Sequence, residues 1–352
     1  MCAKRAPSTP SDPTNQAMPQ FSLIITCYRQ EAFIRAAVES ALAIPFPNKE
    51  ILVIDDASTD GSWDILSGYA GRVRLLRNPQ NMGATVSRNR CAEAATGRYL
   101  VFLDGDDVFL PWCLDLYAHL IEMKDPDMLL TRMQFFSGAV PTPQFDDFGA
   151  SVEIVEYPEL VEKDRSYRGS ASAVVVERAM YLSVGGYSDG LFPVECDDLL
   201  FKLSHRARAV QVLSHPTVAY RLHSNNTVNC VKRFLDGFHK IAWIEKNGGY
   251  GEGWRGHLQR QSFIGGPLAF WIFRGLKVRE YRRSLRLLLD GWRLVLAAVA
   301  MRLLGRLHRV PSESVSLVAV MAPLRPNVAT SAVDRPAWFV PEVARQTQGA
   351  GS

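Results

Sequence analysis

The stretch that decides the fold is YLVFLDGDD, residues 99–107. Its first five residues are apolar and mostly branched or aromatic, which predicts a short buried strand. The strand leads directly into three aspartates, and Gly105 permits a tight turn among them. In open α/β sheets, ligands bind beyond the carboxyl ends of the strands. We therefore expect Asp104, Asp106 and Asp107 to lie at a ligand-binding edge.

Upstream of this stretch, apolar strands alternate with segments of helical periodicity. In chain order they are FSLIIT (21–26), a helix at 29–42, EILVI (50–54), a helix at 63–69, a strand at 73–77 and a helix at 84–95. Such alternation predicts a mostly parallel central sheet flanked by helices. Beyond it, strands are expected at 127–136 and 172–176 and a short helix at 178–184. From residue 232 onward the pattern is helical, and residues 281–307 fit one long amphipathic helix.

Positive charge is concentrated near the C-terminus. The net charge is only +4, but residues 274–309 hold ten Lys or Arg and two acids, so the rest of the chain carries −4. This distribution disfavours a nucleic-acid-binding protein and indicates one basic surface. Basic side chains around Leu, Trp and Val suit a helix lying on an anionic membrane. A helix packed on the protein body with a solvated basic face is the alternative.

Several classes of protein are disfavoured by missing patterns. The first strand and helix lack G-x-G-x-x-G, and no P-loop occurs, which argues against dinucleotide oxidoreductases and P-loop NTPases. The six cysteines have no C-x-x-C spacing, so zinc knuckles and disulfide frameworks are disfavoured. Residues 1–19 lack the apolar core of a signal peptide, and residues 294–301 are too short a run to span a bilayer. We expect a cytoplasmic protein, peripheral at the inner face of the cell membrane.

The aspartates after residue 103 suit a divalent cation. Three negative charges within four residues repel one another, and a cation relieves that repulsion. Mg²⁺ or Mn²⁺ typically takes one or two protein carboxylates and fills its other positions with phosphate oxygens and water, which fits a nucleoside diphosphate. An ordinary acidic turn after a strand is the alternative.

Two further groups could contact a nucleotide. Asp55 and Asp56 end the EILVI strand and could accept hydrogen bonds from a ribose hydroxyl or a base N–H. Helix capping is the alternative, although Ser58 or Asp60 could supply the cap instead. Arg88 lies in the predicted third helix, where its guanidinium could reach a diphosphate or simply line a surface face.

Six segments in order resemble the family-two glycosyltransferases, which are inverting nucleotide-sugar enzymes of the A-type fold. Across roughly residues 20–227 they read SLIITCYRQEAFIRAAVESAL, ILVIDDASTDGSWDIL, NMGATVSRNRCAEAATGRYLVFLDGDD, GGYSDG, ECDDLLFKL and YRLHSNNT. The resemblance implies an α/β A-type glycosyltransferase fold with a mostly parallel central sheet and a helical C-terminal extension. It also implies metal-assisted transfer, with inversion, of a sugar from a nucleotide-sugar donor to a glycan or lipid-linked acceptor in cell-envelope polysaccharide biosynthesis.

With the resemblance, the chain divides into five parts. They are a disordered arm (1–19), a nucleotide-sugar-binding half (20–125), an acceptor-binding half (126–230), a helical extension with the basic amphipathic helix (231–310) and an irregular tail (311–352).

The resemblance also implies roles for individual residues. The donor would be bound by Thr26, Tyr28, Asp55, Asp56, Arg88, Asp104 and Asp107. Asp104 and Asp106 fall on the family's Asp-x-Asp positions, with Asp106 chiefly on Mn²⁺ or Mg²⁺, Asp104 on the ribose or near the metal, and Asp107 orienting the donor sugar. His223 matches a position near the metal or diphosphate, and imidazole is a competent ligand for Mn²⁺.

Inverting transfer needs a general base to deprotonate the acceptor hydroxyl as it attacks. The family normally takes it from a Glu-Asp pair followed by x-Asp-Leu, and in ECDDL the Asp position is Cys196. A thiol with a pKa of about 8.5 is a poor substitute for a carboxylate. We predict Asp197 as the base after a one-residue shift, with Glu195 as the second candidate and Asp198 orienting the helix that begins there.

Two other functions stay open from the sequence. The protein could bind a nucleotide sugar or glycan without catalysis, its base having been lost at Cys196. It could also be a Mg²⁺-dependent phosphohydrolase with a strand-end Asp as nucleophile. The latter is disfavoured because enzymes that resemble the haloacid dehalogenases carry that Asp on the first strand, whereas here it follows the fourth.

Overall fold

The computed structural model describes residues 20–143, 145–149, 151–163, 167, 170–224, 226–251, 257–305 and 310–316. The arm predicted at 1–19 and most of the predicted tail lie outside the described residues. The first part of the fold runs β1 (Phe21–Cys27), α1 (Ile34–Ala43), β2 (Lys49–Asp55), α2 (Ser62–Ser67), β3 (Arg74–Arg77), α3 (Ala84–Ala94) and β4 (Tyr99–Asp104). This alternation confirms the order predicted from apolar periodicity.

The remaining elements are less regular in order. They are β5 (Val108–Phe109), α4 (Cys113–Lys124), β6 (Met128–Phe136), β7 (Ser151–Tyr157), β8 (Val174–Glu177), α5 (Arg178–Ser183), α6 (Glu195–Leu203), β9 (Ala209–Arg221), α7 (Val231–Lys246), α8 (His257–Lys277), α9 (Tyr281–Gly305) and β10 (Glu313–Ser316). The long helix predicted from residue 281 is therefore present as α9. Part of the predicted irregular tail forms β10 instead, because its residues pair with β7.

One mixed sheet contains all ten strands of the described residues. Its order is β10-β7-β9-β6-β8-β4-β1-β2-β3, with β5 paired to β9. The half formed by β3, β2, β1 and β4 is parallel throughout, as predicted. In the other half, β8 runs antiparallel to both β4 and β6, so the parallel pattern does not extend across the whole sheet.

Strand register brings the predicted functional residues to one edge. Thr26 of β1 lies opposite Asp104 of β4, and Cys27 lies opposite Asp55 of β2. All seven residues of β1 are buried, so the strand is fixed between its neighbours. Gly105 then turns back on β1: its N–H donates to the Thr26 carbonyl at 2.9 Å, and a Cβ there would come within 2.8 Å of that oxygen.

Helices α7, α8 and α9 form a separate apolar cluster. Phe238 and Ile241 of α7 pack with Ile264 and Leu268 of α8 and Leu287 of α9. No described helix is both long and apolar enough to cross a membrane.

The helical cluster is joined closely to the sheet domain. Gly237 of α7 lies against Val194, the residue that precedes α6, and a Cβ on Gly237 would come 2.7 Å from a Val194 methyl. Aromatic contact between Phe201 of α6 and Phe263 of α8 adds to this joint.

Candidate active site

At the edge where β1, β2 and β4 end, the two residues predicted to contact a nucleoside differ in exposure. Thr26 is the penultimate residue of β1 and is buried, whereas Tyr28 just beyond is 44% exposed. An exposed aromatic ring next to a strand end can stack on a base or a sugar.

Asp55 is engaged within the protein. It is fully buried, its carboxylate lies 3.0 Å from Arg77 Nε, and it accepts a hydrogen bond from the Ser58 N–H at 3.1 Å. The carboxylate therefore holds the turn after β2.

Asp56 organises the loop that leads into α3. Its carboxylate accepts hydrogen bonds from Asn78 Nδ2 at 2.6 Å and from the N–H groups of Met82 and Gly83, both at 2.8 Å. These donors all precede α3, so Asp56 fixes the loop before that helix, and no side chain caps the helix itself. The capping role weighed for the aspartate pair is therefore not seen for Asp56 at α3.

Arg88 of α3 joins two predicted site residues that are 91 positions apart in the chain. One guanidinium nitrogen contacts Asp104 Oδ1 at 2.5 Å, and another contacts Glu195 Oε1 at 2.8 Å. Arg88 and Glu195 are buried, while the Asp104 side chain is 29% exposed. Burial raises the pKa of Glu195, and the positive charge of Arg88 opposes that rise. The guanidinium thus fixes the end of β4 relative to the start of α6.

Asp106 and His223 converge on each other across the site. His223 Nε2 lies 2.9 Å from Asp106 Oδ2, and the imidazole stacks on Phe33 with ring centroids 5.1 Å apart. Burial and the neighbouring charge of Asp104 raise the pKa of Asp106, while His223 opposes the rise. A partly desolvated carboxylate beside an imidazole is a donor set that Mn²⁺ or Mg²⁺ can use.

This pair fits a cation that takes few protein ligands. Among the described residues, no three His, Cys, Asp or Glu side chains are grouped to hold a metal ion. One Asp104 oxygen contacts Arg88, and Asp104 does not form a group of three potential metal ligands with Asp106 and His223. Two protein ligands completed by diphosphate oxygens and water remain sufficient for Mg²⁺.

Asp107 is held by protein donors on both oxygens. Ser172 Oγ donates to Oδ2 at 2.7 Å, and the Arg221 N–H donates to Oδ1 at 3.1 Å. The same Ser172 hydroxyl accepts the Asp104 N–H at 3.0 Å. Because Asp107 is 1% exposed and both oxygens are bonded, this geometry gives it a positioning role in the acidic turn. Ser172 is a site residue that the sequence analysis missed, since a single serine in a strand-like run carries no signal.

The residues that could act as a base have different environments at the start of α6. Cys196 is buried, and burial together with the charge of Glu195 raises the pKa of its thiol well above the ordinary value. Asp197 is partly exposed, and burial followed by the Glu195 charge raises its pKa to about 7, against an opposing effect of Lys163. A carboxylate with that pKa is suited to general-base catalysis near neutral pH.

Asp198 lies in the first turn of α6, the helix that it was predicted to orient, and it also has side-chain partners. Its carboxylate accepts a hydrogen bond from the Tyr250 hydroxyl at 2.7 Å and lies 3.0 Å from Lys202 Nζ. The Tyr250 contact attaches α6 to the segment that follows α7, and the Lys202 contact lies within α6.

Comparison with known proteins bears on the family and the fold. Residues 22–172 match the sequence model described as Glycosyl transferase family 2. The chain carries a family 2 glycosyltransferase domain. That match covers β1 to the residues just before β8, including the acidic turn, and it disfavours the phosphohydrolase alternative.

Two curated relatives are similar to part of this chain. An Escherichia coli UDP-Glc:alpha-D-GlcNAc-diphosphoundecaprenol beta-1,3-glucosyltransferase, WfaP, is 38% identical over 104 residues, which is 29% of this chain and 41% of the relative. A Bacillus subtilis protein described as a putative teichuronic acid biosynthesis glycosyltransferase, TuaG, is 40% identical over 25% of this chain and 36% of its own length. The match thus spans about two fifths of the length of these relatives.

A solved structure shows the same A-type fold. Staphylococcus aureus TarS 1-349 in complex with UDP-GlcNAc aligns with a TM-score of 0.59 and 18% sequence identity, covering 78% of this chain and 81% of TarS 1-349. The α/β fold with its helical C-terminal extension, expected from the family 2 resemblance, is confirmed.

Proposed function

We propose that the protein transfers a sugar, with inversion, from a UDP-sugar to a glycan or lipid-diphosphate-linked acceptor. The observation that carries this proposal is the Arg88 guanidinium, which holds Asp104 on the donor side and Glu195 next to the base candidate. The names of WfaP and of the TarS complex support the choice of a UDP-sugar and of a lipid-linked acceptor.

The nucleotide would lie across the carboxyl edge of β1, β2 and β4. Thr26 and Tyr28 would meet the nucleoside, with the ring of Tyr28 offering a stacking surface. Asp55 and Asp56 would contribute partly by fixing the turns that they stabilise. The Asp104 oxygen that does not contact Arg88 would accept a hydrogen bond from a ribose hydroxyl.

The donor diphosphate would be bound together with Mn²⁺ or Mg²⁺ held by Asp106 and His223. Such a cation, when bound, stabilises the negative charge that develops on the leaving diphosphate. His223 would be kept in place by its stacking on Phe33. Asp107, fixed by Ser172 and Arg221, would keep the acidic turn in its shape.

Asp197 would be the general base. It would take the proton of the acceptor hydroxyl as the acceptor oxygen forms its bond to the anomeric carbon. The bond from that carbon to the diphosphate oxygen breaks at the same time, and the diphosphate leaves with the electron pair. Glu195 is the second candidate, but its contact with Arg88 stabilises its charged form and weakens it as a base.

We also place the protein at the cytoplasmic face of the membrane, held there by its basic C-terminal helices. A lipid-linked acceptor requires an enzyme close to the bilayer, and residues 274–309 carry the excess of positive charge.

Calorimetric titration with UDP-, GDP- and dTDP-sugars, with and without Mn²⁺, tests the donor site. We expect binding of a UDP-sugar that requires the cation and is lost in Asp106→Ala. Glu122→Ala, an exposed acid on α4, is the matched control and should bind as the wild type does. Failure of every nucleotide sugar to bind a folded protein would overturn the proposal.

A binding protein without catalysis is the second candidate, favoured by the buried Cys196 at the family's base position. Slow hydrolysis of the bound donor by the wild type would indicate a transferase. Tight binding with no hydrolysis or transfer would identify the protein as a non-catalytic binder.

A further inference from the structure

Helix α9 has a continuous apolar stripe that faces away from the protein. One side of the helix is buried, with Leu287 and Leu294 in the helical cluster. The other side exposes large apolar residues, most of them three or four positions apart, which are Tyr281, Leu285, Leu288, Leu289, Trp292, Leu296, Val299 and Leu303. Their exposed fractions lie between 39% and 66%, far above those of core residues. At 1.5 Å per residue this stripe is roughly 30 Å long.

The stripe borders a groove between α7 and α9. The groove has a volume of about 500 Å³, and its apolar lining includes Trp243, Leu285 and Leu289. Trp243 is 63% exposed, which is unusual for the largest apolar side chain. Three cations, Lys246, Arg282 and Arg286, also line it.

The three cations have no acidic partner among the residues that the structure describes, and all three are exposed. By contrast, the neighbouring acids are already paired. Asp290 contacts His239, while Glu280 contacts Lys232 and Arg283. The groove lining holds three cations and one acid, Asp290, so the groove presents an excess of positive charge beside exposed tryptophan and leucine.

We propose that this face, the α9 stripe together with the α7–α9 groove, docks on the surface of an anionic lipid bilayer. Tryptophan and leucine would enter the boundary between headgroups and acyl chains, and the long basic side chains would reach lipid phosphates. This inference rests on the peripheral membrane location proposed above. It specifies which face of the protein binds the membrane and that the lipids are anionic.

Charge complementarity favours a bilayer over a second copy of the chain. Two copies packed face to face would bring Arg282, Arg286 and Lys246 of each close together, and like charges in contact oppose association. Insertion of α9 across the bilayer is equally disfavoured, because its inner side forms part of the core with α7 and α8.

Vesicle flotation of the full chain tests the proposal. The probes are phosphatidylcholine vesicles, with or without about 30% phosphatidylglycerol as the source of negative surface charge. We expect binding to the anionic vesicles, little binding to the neutral ones, and weakening as salt is raised. Equal binding to both would overturn the electrostatic part of the proposal, and binding to neither would overturn all of it.

Paired variants locate the binding face. Reversing two charges in R282E/R286E should lower the vesicle partition coefficient at least about tenfold, since each basic residue near the surface contributes roughly a fivefold factor. The control R35E/R72E changes the charge equally at exposed arginines of the sheet domain and should bind as the wild type does. L285Q/L289Q tests the apolar part without altering charge and should also weaken binding. Wild-type binding by R282E/R286E would contradict the proposal.

Sedimentation and donor titration distinguish membrane docking from self-association and from donor binding. A wild-type dimer in sedimentation that L285Q/L289Q converts to monomer would assign the face to a second copy and overturn the membrane proposal. Donor titration of the same variants separates this inference from the proposed function. Vesicle binding without any nucleotide-sugar binding would leave the membrane face standing and remove the transferase.

Discussion

Asp104, at the end of β4, and Glu195, at the start of α6, bind the same buried guanidinium. Their oxygens lie 2.5 and 2.8 Å from two nitrogens of Arg88. A cation between two carboxylates makes the positions of both depend on one side chain, so the proposed donor site and the helix that carries the proposed base are coupled.

Replacing Arg88 by Ala should therefore damage both stability and activity. Glu195 would be left buried without its counter-charge, and breaking a buried pair in this way costs about 3 kcal/mol or more of unfolding free energy. Urea unfolding of the variant measures this. Adding Glu195→Gln to Arg88→Ala removes the stranded charge and should recover part of the lost free energy. No recovery would show that Arg88 acts through packing instead.

Activity should depend on pH through Asp197. A base works only when deprotonated, and the pKa of Asp197 is raised to about 7. We expect kcat/KM to rise with pH up to about 7 and to level off above it. Asp197→Asn should lower kcat by about 10²-fold or more and abolish the rise of kcat/KM with pH. Glu195→Gln should keep that rise. A rise of kcat/KM with pH that persists in Asp197→Asn would show that another group is the base.

Asp197→Asn should also stabilise the protein at alkaline pH. The folded-state pKa of Asp197 lies above its unfolded value, so its stabilising contribution is complete below pH about 4 and is lost as pH rises through about 7. Above that range the partly buried charge destabilises the fold. Asp197→Asn should then unfold with at least roughly 1–2 kcal/mol more free energy than the wild type at pH 8, and with little difference at pH 4, where the carboxyl is largely protonated in both states. A less stable variant at pH 8 would contradict the desolvation of Asp197.

Loss of the His223 imidazole should affect Mn²⁺ more than Mg²⁺. Imidazole suits Mn²⁺, while Mg²⁺ prefers oxygen ligands and water. We expect His223→Ala to weaken donor binding more strongly in Mn²⁺ than in Mg²⁺ when titrated by calorimetry. His205→Ala is a matched control, because His205 also lies 3.0 Å from a carboxylate, that of Glu159, and has no assigned role at the site. Equal effects of the two metals would remove His223 from the metal proposal.

Much of the donor side could be predicted because it depends on local patterns. The β1 to β4 alternation follows from apolar periodicity, and parallel pairing then places Thr26 opposite Asp104. The antiparallel half could not be predicted in this way. β9 contains Pro216 and buries His215 and Thr217, so it lacks the apolar alternation that marks a strand.

Within the site, long-range contacts were the part that the sequence could not supply. The pairing of Arg88 with Glu195 spans 107 positions, and that of Ser172 with Asp107 spans 65. Such contacts depend on how the helices pack on the sheet, and the spacing of residues along the chain does not predict that packing. The sequence did identify the departure at Cys196, but the contrast between a buried thiol and a partly exposed Asp197 required the fold.

The tight joint between Gly237 and Val194 has a consequence for the size of the acceptor. Because this joint leaves no room for a side chain, α6 and the helical extension should move as one piece. If the extension lies on the bilayer, the height of Asp197 above the headgroups is then constant. The protein would then modify acceptors whose reactive hydroxyl lies at the same height above the headgroups as Asp197. It would not modify shorter or longer glycans on the same lipid.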